Sequence, residues 1–186
     1  IVINAGDGTH EHPTQAILDM MSLQEQFNNL EGLKVGIIGD ISHSRVALSN
    51  IFGLTTMGAD VMICGPSTLM PPHIEKLGVK VSYDMDEVVD WADAVNILRI
   101  QLERMGTGLY PSIREYRELF GLSVERIKRH NKDLVVMHPG PMNRGTEIDS
   151  AVADSDRAII LDQVLNGVAS RMAILYLLLG GKMEEN

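Results

Sequence analysis

Short apolar runs alternate with amphipathic stretches along most of this chain. Five of these runs are rich in aliphatic or β-branched residues and bounded by turn residues, which is typical of strands buried on both faces of a parallel sheet. The predicted strands are residues 33–39, 60–64, 79–82, 94–98 and 134–137.

Apolar residues at helical spacing predict helices between these strands. The predicted helices are residues 13–30, 45–57, 72–77, 86–92 and 163–180, with Gly180 and Gly181 ending the last. Strands that alternate with helices predict an α/β fold: a doubly wound, mostly parallel sheet with helices on both faces and Rossmann-like topology. In such a sheet, ligands bind at the carboxyl ends of the strands.

One long segment interrupts the alternation. Residues 99–129 are charged and contain Gly106, Gly108, Pro111 and Gly121. Long segments without a repeating pattern are often functional, so we expect an excursion over the ligand-binding face that ends in a helix over residues 123–130.

Composition narrows the class of partner. The net charge of −9 argues against a nucleic acid or an anionic membrane as partner, and no apolar run has the length of a membrane span.

The single cysteine, Cys64, excludes a disulfide framework and favours the cytoplasm. The six histidines lack metal-ligand spacing, so no metal is predicted. Because the first residue is Ile1, we expect the sequence to be part of a longer polypeptide.

The segment His12-Pro13-Thr14-Gln15 carries the clearest chemical signal. It places an imidazole and a carboxamide three residues apart at a predicted helix start, where backbone N–H groups also face outward. This arrangement suits a carbonyl oxygen or a phosphate. The alternative is that His12 only caps the helix or supports the fold.

Three further clusters follow predicted strands, at residues 39–45, 99–104 and 138–145. Because the ends of parallel strands converge on one sheet edge, we expect Arg45 and Arg99 to approach one ligand from two directions, and two guanidinium groups suit a dicarboxylate or a phosphate. Gln101 shares a face with Arg99 in an extended segment and adds an amide. The Pro139-Gly140-Pro141 turn can fix carbonyls toward a ligand, and a cis X–Pro bond is plausible there. Gly39 lacks the further glycines of a dinucleotide fingerprint, so no NAD-type cofactor is predicted.

In this order, the segments INAGDGTHEHPTQAILD, VGIIGDISHSR, ILRIQLER, HPGPMNRG and QVLNGVASRMAIL resemble the C-terminal part of the aspartate transcarbamoylase catalytic chain. The resemblance covers nearly the whole sequence. It implies transfer of the carbamoyl group of carbamoyl phosphate to L-aspartate, in pyrimidine biosynthesis, with no cofactor.

The resemblance also assigns residues. It implies that His12 is catalytic and binds the carbamoyl oxygen, while Gln15, Gly140 and Pro141 complete the carbamoyl-phosphate contacts. The residues that it implies for aspartate are Arg45, Arg99 and Gln101. For Arg171 we expect a structural role, in which its side chain pairs with acidic residues near the excursion.

The resemblance further implies a domain organisation. Residues 1–30 form an inter-domain segment and helix, residues 31–162 the aspartate-binding domain, and residues 163–186 a helix that packs toward an N-terminal domain. The Ser-Thr-Arg-Thr-Arg phosphate site of that domain is not in this sequence. The family therefore implies a homotrimer with shared active sites, and inactivity of these residues alone. Dihydroorotase or a regulatory chain is a possible further partner.

Two alternatives stay open. Ornithine transcarbamoylase shares the His-Pro-x-Gln feature but carries a cysteine in the motif after the last strand, where this chain has His138-Pro139-Gly140-Pro141. The second alternative is a carbamoyltransferase-like module without catalytic activity, in complex with dihydroorotase. Such a module would not need Arg45 and Arg99.

Overall fold

Five parallel strands form one sheet at the centre of the molecule. A computed structural model describes residues 1–100, 112–130 and 133–180, and in this part of the chain the strand order is β3-β2-β1-β4-β5. The strands are β1 (Lys34–Ile38), β2 (Asp60–Cys64), β3 (Lys80–Ser82), β4 (Ala94–Ile97) and β5 (Val135–Met137). All five predicted strands are confirmed. They could be predicted because a strand that is covered on both faces needs a continuous apolar run.

Helices cover the two faces of this sheet. They are α1 (Pro13–Phe27), α2 (Arg45–Thr56), α3 (Met85–Trp91), α4 (Ile113–Phe120), α5 (Val124–His130), α6 (Ser150–Ala153) and α7 (Ile160–Leu178), with short 3-10 turns at Ser67–Leu69 and Ile74–Leu77. The buried apolar residues form two cores. In one core, residues of α1 and α2 pack with Ile37, and in the other, residues of α3, α4 and α6 pack with Ile38. The predicted doubly wound α/β fold is confirmed. None of the described helices has the length and apolar character that crossing a bilayer requires.

The main departure from prediction is α4. It lies inside the segment that we expected to be an irregular excursion, so that expectation is wrong for residues 113–120. The Ser112 hydroxyl accepts a hydrogen bond from the backbone N–H of Glu115 at 3.1 Å, which caps the helix. Tyr116 and Phe120, one turn apart, bury their rings with centroids 5.6 Å from each other. The Ser-x-x-Glu pattern at residues 112–115 was the available signal.

Helix ends also differ from their predicted positions. Helix α1 ends at Phe27, three residues early, because Asn28 is left-handed with φ of 64° and donates its N–H to the Gln24 carbonyl. Helix α7 begins at Ile160 rather than at residue 163. Helix α6 was not predicted, because four residues are too few to show a period.

Candidate functional site

The loop before α1 holds the backbone of His12 in place. Asp7 and Glu11 exchange hydrogen bonds, with the Asp7 N–H 3.0 Å from the Glu11 carbonyl and the Glu11 N–H 2.7 Å from Asp7 Oδ1. The N–H of His12 donates to Ser49 Oγ on α2 at 2.8 Å, and the Ser49 hydroxyl donates to the Glu11 carboxylate. The ring of His12 makes no capping bond to α1. His12 is thus the N-cap residue of α1 by its backbone alone, and its ring lies beside the side chain of Thr14, with Nδ1 3.5 Å from Thr14 Oγ1.

Two arginine charges act on this imidazole. Burial lowers the pKa of His12 below its ordinary value, and the charges of Arg45 and Arg171 lower the pKa further. The ring is half-buried and favours its neutral form. A neutral imidazole carries one N–H that it can donate to a carbonyl oxygen.

We expect an NMR titration of His12 to give a pKa below 6.5. Because the unfolded chain takes up a proton at higher pH than the folded chain, the contribution of His12 to stability is complete above pH 6.5 and is lost as the pH falls toward the lowered folded value. Arg45→Gln should raise the pKa. Arg117→Gln, which removes an arginine paired with Asp149, is the control and should leave the pKa unchanged. A wild-type pKa at or above 6.5 would contradict this electrostatic description.

Arg45 reaches the loop from the first turn of α2. Ser44 caps this helix by accepting the N–H of Ala47 at 3.2 Å, which places Arg45 at the first helical position. The guanidinium lies against Gly6, where an added Cβ would be 2.8 Å from Arg45 Cζ. Gly6 also has φ of +120°, so both space and conformation require glycine there.

Arg99 lies at the point where the strand order reverses. Strands β2 and β4 lie on opposite sides of β1, which makes the gap between the ends of β1 and β4 the topological switch point. Leu98 donates its N–H to the Ile38 carbonyl at 2.8 Å, and Arg99 follows directly. Arg45 and Arg99 thus follow these two strands. Gln101, the third predicted aspartate ligand, lies outside the described residues.

A cavity of about 230 Å³ lies between α1, α7 and the turn after β5. Its polar lining includes Gln15, His138, Gly140, Gln163 and Arg171. Gly140 has φ of +63° and donates its N–H to His138 Nδ1 at 2.9 Å, which leaves its carbonyl as the group able to bind a ligand. The Gly140–Pro141 bond is cis, as predicted, and Pro141 is exposed.

The structure thus brings Gln15 and Gly140 to one cavity, and His12 and Arg45 to one electrostatic environment. Arg171 joins the two. It lines the cavity, acts on His12, and donates from Nη1 to the Gly167 carbonyl at 2.8 Å. We expected only a structural role for Arg171, because a single arginine on a helix gives no sign of the cavity that it faces.

Asp19 is the other residue that sequence patterns did not identify. It is completely buried on α1, and its carboxylate accepts hydrogen bonds from four carboxamides on four elements. These are Gln15 at 2.9 Å, Gln163 at 2.8 Å, Asn50 at 2.8 Å and Asn96 at 3.3 Å. The available signal was a carboxylate on the apolar face of α1, one turn after Gln15.

Comparison with known proteins gives this site a family. Residues 31–178 match the model of the aspartate/ornithine carbamoyltransferase Asp/Orn binding domain. The chain belongs to the aspartate/ornithine carbamoyltransferase family. The resemblance inferred from the quoted segments is thereby confirmed.

The solved structures that this chain resembles include enzymes of both acceptor types. The chain is 60% identical to the aspartate carbamoyltransferase catalytic subunit of Heliobacterium modesticaldum over 97% of its length, and spans 58% of that protein. It is similar in structure to aspartate transcarbamoylase of Trypanosoma cruzi in complex with N-(phosphonacetyl)-L-aspartic acid, with TM-score 0.78 and 28% identity, covering 92% of this chain and 57% of the other. Ornithine carbamoyltransferase of Pyrococcus furiosus also gives TM-score 0.78, at 26% identity, covering 94% and 58%. The fold is therefore common to both types, and the acceptor must be inferred from side chains.

Proposed function

We propose that this carbamoyltransferase-family chain provides the acceptor side of an enzyme that transfers the carbamoyl group of carbamoyl phosphate to L-aspartate. The products are N-carbamoyl-L-aspartate and phosphate, and the step belongs to pyrimidine biosynthesis. The observation that carries the proposal is the pair Arg45 and Arg99 beside the switch point, with a neutral His12 next to Arg45. Two guanidinium groups match a dicarboxylate such as aspartate and would repel the cationic side chain of ornithine.

Each residue has a defined task in this reaction. The α-amine of aspartate attacks the carbamoyl carbon, a C–N bond forms, the C–O bond to phosphate breaks, and the amine proton leaves with the phosphate. His12 donates its N–H to the carbamoyl oxygen as negative charge develops there. Gln15 and the Gly140 carbonyl accept hydrogen bonds from the carbamoyl amino group, and Pro141 shapes the same turn. Arg45 and Arg99 bind the carboxylates of aspartate, with Gln101 as a supporting amide.

The C-terminal helix supports the proposed domain organisation. One face of α7 packs on α1 through buried polar residues such as Gln163, Asn166 and Ser170. The opposite face exposes a row of apolar side chains: Leu161, Val164, Leu165, Val168 and Met172. Because contiguous exposed apolar surface marks an interface, we propose that residues 1–30 and 163–186 connect the domain of residues 31–162 to an N-terminal domain that binds phosphate. A homotrimer of the complete chain, with inactivity of these residues alone, belongs to the same proposal.

The state of the cysteine supports a cytoplasmic location. Cys64 is a free, buried thiol at the end of β2, and burial raises its pKa to about 12. An unreactive thiol and the lack of any disulfide partner in the sequence are typical of proteins from a reducing compartment.

A steady-state assay of the complete gene product with carbamoyl phosphate tests the proposal. We expect turnover with L-aspartate and none with L-ornithine. Turnover of L-ornithine alone would show that the acceptor is ornithine and that the proposed acceptor, aspartate, is wrong. If neither acceptor reacts, titration with N-(phosphonacetyl)-L-aspartic acid decides between an inactive preparation, which binds it, and a module without catalytic function, which does not.

A further inference from the structure

A buried carboxylate on α1 is hydrogen-bonded to two carboxamides that line the cavity. Asp19 lies on α1, and Gln15 and Gln163, which donate to its Oδ1, both line the cavity. Asn50 and Asn96 donate to its Oδ2. Two carboxylate oxygens offer about four acceptor positions in total, and four amide N–H groups fill them.

This arrangement fits the ionised form of Asp19. A protonated carboxyl group would point an O–H at one of four amide groups that already donate, so one amide would have to rotate. Burial raises the pKa of Asp19 above its ordinary value, and the four amide donors, which favour the charged form, offset only part of that rise. As long as the carboxylate is ionised, it accepts only, and each surrounding carboxamide must present its nitrogen to it.

The fixed nitrogen determines the role of each carboxamide oxygen. Gln163 Oε1 accepts the backbone N–H of His138 at 2.9 Å, which holds the start of the turn that carries Gly140. Gln15 Oε1 is the end of its carboxamide opposite Asp19. A planar carbamoyl group needs acceptors beside its NH2 group, and a rotated Gln15 would instead place NH2 against NH2.

We propose that Asp19 is a positioning residue: its carboxylate holds Gln15 with Oε1 turned toward the substrate and, through Gln163, fixes the Gly140 turn, so that the site accepts hydrogen bonds from the amino group of a carbamoyl donor. This role rests on the proposed carbamoyl transfer. It makes one buried carboxyl group responsible for the hydrogen-bonding polarity of the cavity.

A double-mutant cycle in the complete gene product tests this role. Asp19→Asn preserves shape but adds an NH2 group to a cluster of donors, and Asp19→Ala removes the acceptor. We expect each to raise the KM for carbamoyl phosphate about tenfold, the effect of one misdirected polar group, with less than threefold change in the KM for aspartate. In a Gln15→Ala background the same changes should raise that KM by a smaller factor than in wild type, because only the contact through Gln163 to the Gly140 turn is left to lose.

Ser22→Ala is the matched control. Ser22 is buried one turn further along α1 and accepts a hydrogen bond from Asn166 of α7 at 3.0 Å, so its loss weakens the same helix contact without touching Gln15. We expect an unchanged KM for carbamoyl phosphate. Three results would overturn the role: an unchanged KM in both Asp19 variants, a rise that persists in full in the Gln15→Ala background, or failure of both variants to fold. A wild-type protein that neither turns over nor binds N-(phosphonacetyl)-L-aspartic acid would instead overturn the proposed reaction and this inference with it.

Discussion

We expect replacement of His12 with alanine to lower kcat for the proposed carbamoyl transfer by about a hundredfold or more, the usual cost of removing one donor to a developing oxyanion. The reason is positional. Ser49 and Glu11 hold the His12 backbone, and the charges of Arg45 and Arg171 favour the neutral ring. In the proposed reaction this donor would therefore need no rearrangement when charge appears on the carbamoyl oxygen. Steady-state kinetics at saturating carbamoyl phosphate and aspartate measure the change.

His10→Ala is the appropriate control for His12→Ala. His10 lies in the same loop, is exposed, and sits 3.5 Å from Asp7 at the surface. Its loss should leave kcat within twofold of wild type. Thermal unfolding of both variants separates a chemical effect from a folding defect, because the His12 ring makes no bond that caps α1. A near-wild-type kcat for His12→Ala would remove this residue from the mechanism.

Local patterns were sufficient for the sheet and for the strand-end residues. A strand buried on both faces must be continuously apolar, and the carboxyl ends of parallel strands meet at one edge. These two facts placed Arg45, Arg99 and Gly140 at the same edge without knowledge of strand order. The order itself, which makes the β1–β4 gap the switch point, came from the structure.

The Asp19 cluster was beyond the reach of such patterns. Its four amides come from residues 15, 50, 96 and 163, and each alone resembles an ordinary polar residue of a helix or strand. They become a site only when two helices and a strand pack around α1, which no local period describes. The cavity-lining position of Arg171 was missed for the same reason, because it depends on the helix face that meets the turn after β5.

Replacing Arg99 with alanine should raise the KM for aspartate much more than it changes kcat. A charge-assisted bidentate pair in a partly buried site is worth about 2–5 kcal/mol, which corresponds to a rise of about thirtyfold to several thousandfold. Arg99 lies next to the switch point and is half-buried, so water competes with a carboxylate less effectively than at an open surface. Initial rates at varied aspartate and saturating carbamoyl phosphate measure this KM.

Two variants show whether the loss reflects the guanidinium of Arg99 or only its charge. Arg99→Lys keeps the charge but loses the planar fork, so it should lie between wild type and alanine. Arg117→Ala removes a half-exposed guanidinium 2.9 Å from Asp149 on a different part of the fold, and should leave both KM values unchanged. A rise in the KM for carbamoyl phosphate with an unchanged KM for aspartate would mean that Arg99 binds the phosphate. Arg45 would then have to bind the acceptor without Arg99. The argument that a pair of arginines favours a dicarboxylate acceptor would no longer hold.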